Sequence, residues 1–364
     1  MKKLCVSLIV IFVFFLLPLR VNASENVYGE LFDALSDETV RLLEQFGITP
    51  SVAETFSDIS PEKALNAVLS LFKDGIKKPF SGAICVIGIL FIVTVVSSFI
   101  DTSATFFMMA KSISLMCIVF SILNTTAEIF TVCSSSLLVT KDFMLVLIPV
   151  FAGIVASSGN PALAVSFNTV AFSFAETVAL LFEGTVPVIL SVLMAVFSAG
   201  VINPLMKFSG IGKTLSRAVT LFMAFFAGIF VAVLSIRGVI AGAADTVTVR
   251  GIRFLIGNTV PVVGSAIGEA LNSVIAGLGL IKNTVGVIGI AAVIVINLPC
   301  IINVILWKGA LYCISVSADI FENGEVKSFA ENMSSILSVI IGAVIFTAFV
   351  FIISIAILIT VKSG

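Results

Sequence analysis

Apolar residues dominate the chain from residue 80 onward and occur in runs separated by short polar stretches. A run of about 20 apolar residues crosses roughly 30 Å of hydrocarbon as an α-helix. The pattern predicts membrane spans at 80–100, 113–135, 143–158, 162–183, 187–206, 216–237, 284–306 and 336–360. The 143–158 run is short, which favours half of a broken or re-entrant element. The predicted fold is therefore all-α, a polytopic helical membrane protein with about seven or eight transmembrane helices.

Composition supports lipid as the main solvent of this chain. Hydrophobic residues make up 59% of the sequence and charged residues 11%, whereas soluble domains carry about 45–50% and about 25%. The formal net charge is −1. A nucleic acid is therefore not an expected partner, since its recognition needs a basic surface.

The first 79 residues differ from the membrane body. Residues 1–23 have a basic start, an apolar stretch and the small-residue pattern Val21-Asn22-Ala23, which predicts an export signal peptide. An uncleaved first transmembrane helix is the alternative. Residues 24–79 are acidic and predict a short extracytoplasmic helical region, with one helix starting at Ser60-Pro61-Glu62. Residues 80–364 form the predicted polytopic membrane domain.

One stretch, 237–283, interrupts the apolar pattern with charge and glycine. Its charged residues are Arg237, Asp245, Arg250, Arg253, Glu269 and Lys282. Pro261 and Gly264 favour an interrupted helix at its centre. Charges at membrane depth are tolerated where they line a cavity or are buried in protein. Two interpretations stand: a re-entrant element that lines a cavity, and an amphipathic connector in the membrane interface.

Glu128 and Glu176 are acidic residues inside predicted spans. Such residues usually face the interior of a helix bundle, and Lys111 or Arg217 are candidate partners. Packing without any transport role is an equally supported interpretation. The candidate cavity or partner-contact residues are Glu128, Glu176, Asp245, Arg250, Arg253, Pro261, Gly264, Glu269, Lys282 and Asn283.

The sequence gives little support to enzyme chemistry. Histidine is absent, which removes the commonest general base and zinc ligand. There is no phosphate-binding loop GxxxxGK[ST] and no GxSxG nucleophile elbow. We therefore expect no catalytic, cofactor or metal residues. The cysteines of the membrane body lack CxxC spacing and are expected to act as small hydrophobic residues.

The layout resembles the stage III sporulation protein AE family. The likeness rests on Ile148-Pro149-Val150 through Gly159 and on the run from Asp245 to Gly289, which contains Pro-Val-Val-Gly and Lys282-Asn283-Thr284-Val285-Gly286. The resemblance implies a sporulation role in the mother-cell membrane that surrounds the forespore. It also implies partners: other membrane proteins of the same operon, a forespore partner and a cytosolic ATPase.

Two functions remain in competition at this point. The first is a membrane component of a multiprotein channel or secretion-like complex, which the resemblance implies. The second is a stand-alone secondary transporter or permease, in which Glu128, Glu176 and the charges of 237–283 handle an ion or a small solute. An intramembrane enzyme has the least support, because no catalytic pair is visible.

Overall fold

The computed structural model describes residues 37–46, 61–99, 105–180, 186–202, 211–259 and 264–360, and within these ranges the chain is helical apart from its turns. The helices, numbered in chain order, are α1 (Asp37–Gln45), α2 (Pro61–Phe99), α3 (Thr105–Ser157), α4 (Pro161–Leu180), α5 (Val186–Ile202), α6 (Ile211–Thr259), α7 (Gly264–Ile320) and α8 (Gly324–Thr360). The predicted all-α polytopic fold is confirmed. The predicted signal peptide, residues 1–23, lies outside the described residues.

The helices are longer and fewer than the apolar runs predict. Five of those described are long and apolar enough to cross a membrane, within α2, α3, α6, α7 and α8, and α5 contains a shorter apolar segment. The runs 113–135 and 143–158 belong to the single 53-residue helix α3, so the prediction of a broken or re-entrant element at 143–158 is wrong. At 1.5 Å per residue α3 is about 80 Å long, well beyond the hydrocarbon thickness. The apolar pattern predicts two spans within this one helix because Lys141 and Asp142 interrupt its apolar run.

Helix α2 joins two segments that the sequence separates. It begins at Pro61, as the Ser60-Pro61-Glu62 pattern predicts, and continues without interruption to Phe99. The predicted boundary between the extracytoplasmic region and the first span therefore falls inside one helix, which accommodates Pro79. A Cβ atom on Gly75 would lie 2.9 Å from Leu306 Cδ1, so glycine permits a close approach of α2 to α7.

Two tight turns share one hydrogen-bonding pattern. After α3, the N–H of Gly159 donates to Ala156 O at 3.1 Å and the N–H of Asn160 to Val155 O at 3.2 Å. After α7, Glu322 and Asn323 donate in the same way to Asp319 O and Ala318 O. This is the Schellman motif, whose left-handed residue is Gly159 in the first turn and Glu322 in the second. An asparagine then starts the next helix, because each Asn carbonyl accepts the first helical N–H.

The core of the described bundle lies between α3, α7 and α8. Helix α7 is the most enclosed span, with 67% of its most apolar window buried, compared with 17% for α2 and 22% for α6. Cys133 of α3 and Cys300 of α7 are fully buried and form a disulfide with a Cα–Cα distance of 5.4 Å. The prediction that these two cysteines act only as small hydrophobic residues is therefore wrong. Their partnership depends on the contact between α3 and α7, which the spacing of 167 residues does not reveal.

Candidate functional site

The fully buried charged side chains of the described residues are Asp245 and Lys282. Asp245 is 2% exposed on α6, and Lys282 is 3% exposed on α7. Both belong to the 237–283 stretch. Burying a charge in an apolar bundle is costly unless it is paired or hydrogen-bonded, so such residues are candidates for function.

The partner of the Asp245 carboxylate is the first turn of α4. Oδ1 accepts the N–H of Ala162 and Oδ2 accepts the N–H of Leu163, both at 2.9 Å. These N–H groups have no partner inside their own helix, and the helix dipole places partial positive charge there. Asp245 therefore fastens the start of α4 to α6 and satisfies two backbone donors inside the protein.

The turn that leads into α4 is buried as well. Ser158 and Asn160 are 0% and 1% exposed, and the Ser158 hydroxyl donates to Val155 O at 2.9 Å. Pro161 follows at the first helical position, where its fixed φ and missing N–H cost nothing. The gap between the predicted spans 143–158 and 162–183 marks this turn, but the apolar pattern does not show that the turn is buried inside the bundle. The sequence does carry a local signal for the turn itself: Gly159, the helix cap Asn160 and Pro161 follow one another.

Around Lys282, helix α7 approaches its neighbours closely. One turn further on, a Cβ atom at Gly286 would lie 2.5 Å from Ile359 Cδ1 and 3.2 Å from Phe151 Cζ. A Cβ atom at Gly289 would lie 2.7 Å from Leu147 Cδ2. These glycines allow α3, α7 and α8 to meet with side chains packed directly on backbone, which is common at membrane helix contacts. Asn283 is half-buried beside this contact.

A polar contact links α3 and α7 deeper in the bundle. The side-chain amide of Asn297 donates to Thr140 Oγ1 at 2.9 Å and to its own helix at Val293 O. Asn297 and Thr140 are 1% and 0% exposed. Asn297 Oδ1 has no hydrogen-bond partner among the described residues. The arrangement agrees with the use of polar side chains to join membrane helices.

Glu128 and Glu176 do not face the interior, so that expectation is wrong. Glu128 lies on an exposed face of α3 and forms an ion pair with Lys78 of α2, rather than with Lys111 or Arg217. Lys111 instead approaches Glu325, with 3.8 Å between Nζ and Oε2. Glu176 is exposed on α4. The sequence could not place these residues because every helix has faces that only the packing assigns.

The remaining candidates fall at the junction of α6 and α7. Arg250 and Arg253 belong to the last part of α6, and Gly264 and Glu269 to the first turns of α7. Outside the described part of the chain lie Pro261, the surroundings of Gly264 and the side chains of Arg250, Arg253 and Glu269. The predicted helix interruption falls on residues 260–263, which lie outside the described residues, and it stays a prediction. Whether the stretch lines a cavity stays a prediction.

The arrangement provides polar and ionic contacts between the described helices. Within those residues, no three His, Cys, Asp or Glu side chains lie close enough together to hold a metal ion. Among the described residues, the five helices that are long and apolar enough to cross a membrane define a polytopic helical membrane protein. The sequence matches the profile of the stage III sporulation protein AE family over residues 48–362. The chain belongs to that family, and membership implies a role in sporulation.

The chain is also similar in sequence to an individual member of this family. The stage III sporulation protein AE of Bacillus subtilis (strain 168) is 31% identical over 189 residues. The aligned part covers 51% of this chain and 47% of the relative, so the match spans about half the length of each. No solved structure matches the chain significantly.

Proposed function

We propose that this chain is a membrane component of a multiprotein channel or secretion-like complex between mother cell and forespore, required for forespore development. It lies in the mother-cell membrane that surrounds the forespore. Its partners are other membrane proteins of the same operon and a forespore protein, and a cytosolic ATPase supplies the energy. In this proposal the chain catalyses no reaction itself.

The observation that carries this proposal is a difference in burial between helices: α7 packs closely on α3 and α8, whereas α2 and α6 are largely exposed. In the described bundle, α7 packs closely on α3 and α8 at Gly286 and Gly289. The apolar windows of α2 and α6 leave most of their residues unburied by the chain itself. A channel across the membrane is therefore more readily formed between several protein chains than along the tightly packed contact of α3, α7 and α8. The exposed flanks offer surface for those chains, alongside lipid.

A stand-alone permease is the second candidate, and the buried charges favour it. Asp245 and Lys282 lie within the bundle, and buried ionisable residues in membrane proteins often mark ion or proton paths. However, Asp245 already accepts two backbone hydrogen bonds, which gives it a structural role. The burial of Asp245 is therefore explained by this structural role and is weaker evidence for transport.

Purification and reconstitution separate the two functions. The chain would be isolated in mild detergent from sporulating cells and its companions identified, and the purified chain alone would be placed in liposomes. We expect co-purification with membrane proteins of its operon and no ion or solute flux from the chain alone. Ion or solute flux from the isolated wild-type chain would instead establish the permease.

A further inference from the structure

Helix α4 has an inner and an outer face that differ in chemistry. Its inner residues, including Leu163, Phe167 and Ala171, are fully buried in the bundle. Its outer residues recur every three or four positions as Val165, Thr169, Phe172, Glu176 and Leu180, and all are exposed. A spacing of three and four residues aligns side chains along one helix face. Glu176 therefore lies within a mostly apolar outer stripe.

The hydroxyl groups on this outer face donate hydrogen bonds to backbone carbonyls of α4 itself. Thr169 Oγ1 donates to Val165 O at 3.0 Å, and Ser173 and Thr177 donate to the carbonyls four residues earlier at 2.8 Å. Hydroxyls bonded to their own helix tolerate an apolar environment. An ionised carboxylate has only acceptor oxygens and has no such local option. Glu176 is therefore the residue of this stripe that most needs an outside partner.

Other acidic residues on the long helices show how this chain compensates such charges. Glu128 pairs with Lys78, Asp142 with Lys141 and Asp319 with Lys327. Asp245 is held by the first N–H groups of α4. On the described helices, Glu176 has no comparable hydrogen bond or ion pair. The apolar pattern predicts that α4 belongs to a membrane span at 162–183. A carboxylate without a partner is costly in hydrocarbon, so this face is better covered by protein than by lipid.

We propose that the outer face of α4, centred on Glu176, docks a transmembrane helix of another membrane protein that carries Lys or Arg at the level of Glu176. Phe172 and Leu180, 45% and 72% exposed, supply the apolar part of the contact. A second copy of this chain fits less well. Two-fold pairing through a face centred on Glu176 brings the two Glu176 carboxylates together, and like charges repel. The inference rests on the proposed function and identifies one of its contact surfaces.

A photo-cross-linking residue at Phe172, in the full chain within sporulating cells, tests the proposal. We expect an adduct with another membrane protein, and mass spectrometry should locate the linkage on a transmembrane segment with a Lys or Arg. Glu176→Gln should then lower the yield by about tenfold or more, since one member of a desolvated charge pair is lost. Glu176→Lys combined with Glu at the partner's basic position should restore the yield.

The matched control is Asp142→Asn, which removes an exposed carboxylate that already has Lys141 as a partner within the chain. It should leave the adduct at the wild-type yield. Equal amounts and equal detergent elution profiles of all variants would show that folding is unchanged.

Several outcomes would overturn the docking surface: adducts with lipid only, adducts with a second copy, a linked segment without a basic residue, or a yield unaffected by Glu176→Gln. If the complex still co-purifies in those cases, the proposed function stands and only this surface is wrong. If no complex co-purifies at all, the proposed function itself fails.

Discussion

The carboxylate of Asp245 accepts a hydrogen bond from the backbone N–H of Leu163 at 2.9 Å, across 82 residues of sequence. The N–H of Ala162 donates a second hydrogen bond to the same carboxylate. Together the two bonds fix the start of α4 to Asp245 of α6. Helix starts are commonly capped from within the neighbouring turn, whereas this one receives its charge from a different helix. The relationship couples the position of α6 to that of the α3–α4 turn.

Replacing Asp245 should therefore destabilise the bundle. Asp245→Ala leaves two buried N–H groups without acceptors and should lower the free energy of unfolding by about 2–4 kcal/mol. Asp245→Asn keeps one acceptor oxygen and should cost less. The chain has one tryptophan, Trp307, which is largely buried, so its fluorescence in a denaturant titration in micelles can follow unfolding. Asp142→Ala, at an exposed site, is the control, and equal losses for both alanine variants would contradict the anchor.

The close contact at Gly286 gives a second prediction. Gly286→Ala places a methyl group against Ile359 and Phe151 and should cost about 1–3 kcal/mol of stability through overpacking. At Gly342 of α8, by contrast, an added methyl group would meet no neighbour within 4 Å. Gly342→Ala should accordingly stabilise the protein by about 0.5–1 kcal/mol, because alanine favours a helix over glycine. Melting of the two variants in the same detergent should move in opposite directions.

The turn after α7 carries a correctable strain. Glu322 has a φ of 53°, in the left-handed region that glycine adopts without penalty. Gly159 occupies the equivalent place in the other turn, with a φ of 92°. Glu322→Gly should raise the stability by up to about 1 kcal/mol. Glu322→Ala keeps the strain and serves as the comparison; a gain of the same size from alanine would show that removing the charge, not the backbone preference, is responsible.

The disulfide between α3 and α7 predicts a defined labelling pattern. Without reductant, a thiol reagent added to the unfolded chain should modify Cys85, Cys117 and Cys313, and also Cys5 where the export signal is retained. It should leave Cys133 and Cys300 as linked peptides. Cys133→Ala should release Cys300 for modification and lower the stability by about 2–4 kcal/mol, because the unfolded chain loses a constraint. Modification of Cys133 in the unreduced wild-type chain would exclude the bond.

Local signals explain how much of the fold the sequence predicts. The start of α2 at Pro61 and the break before Pro161 follow from capping residues and proline, whose effects act within a few positions. The 237–283 stretch contains Asp245 and Lys282, the buried charged residues of the described chain, but its predicted role in lining a cavity stays a prediction. Span counting succeeds less well, because a charged pair such as Lys141 and Asp142 lowers hydropathy without ending a helix.

The sequence by itself determined a helical membrane protein of a sporulation family, because apolar run lengths, composition and motif order are properties of the linear chain. The tertiary structure alone decided which charges are buried. Lys78 with Glu128, Asp245 with α4, and Cys133 with Cys300 each join helices far apart in sequence. Which face of a helix meets a neighbour depends on packing across such distances, and no local pattern of residues encodes it.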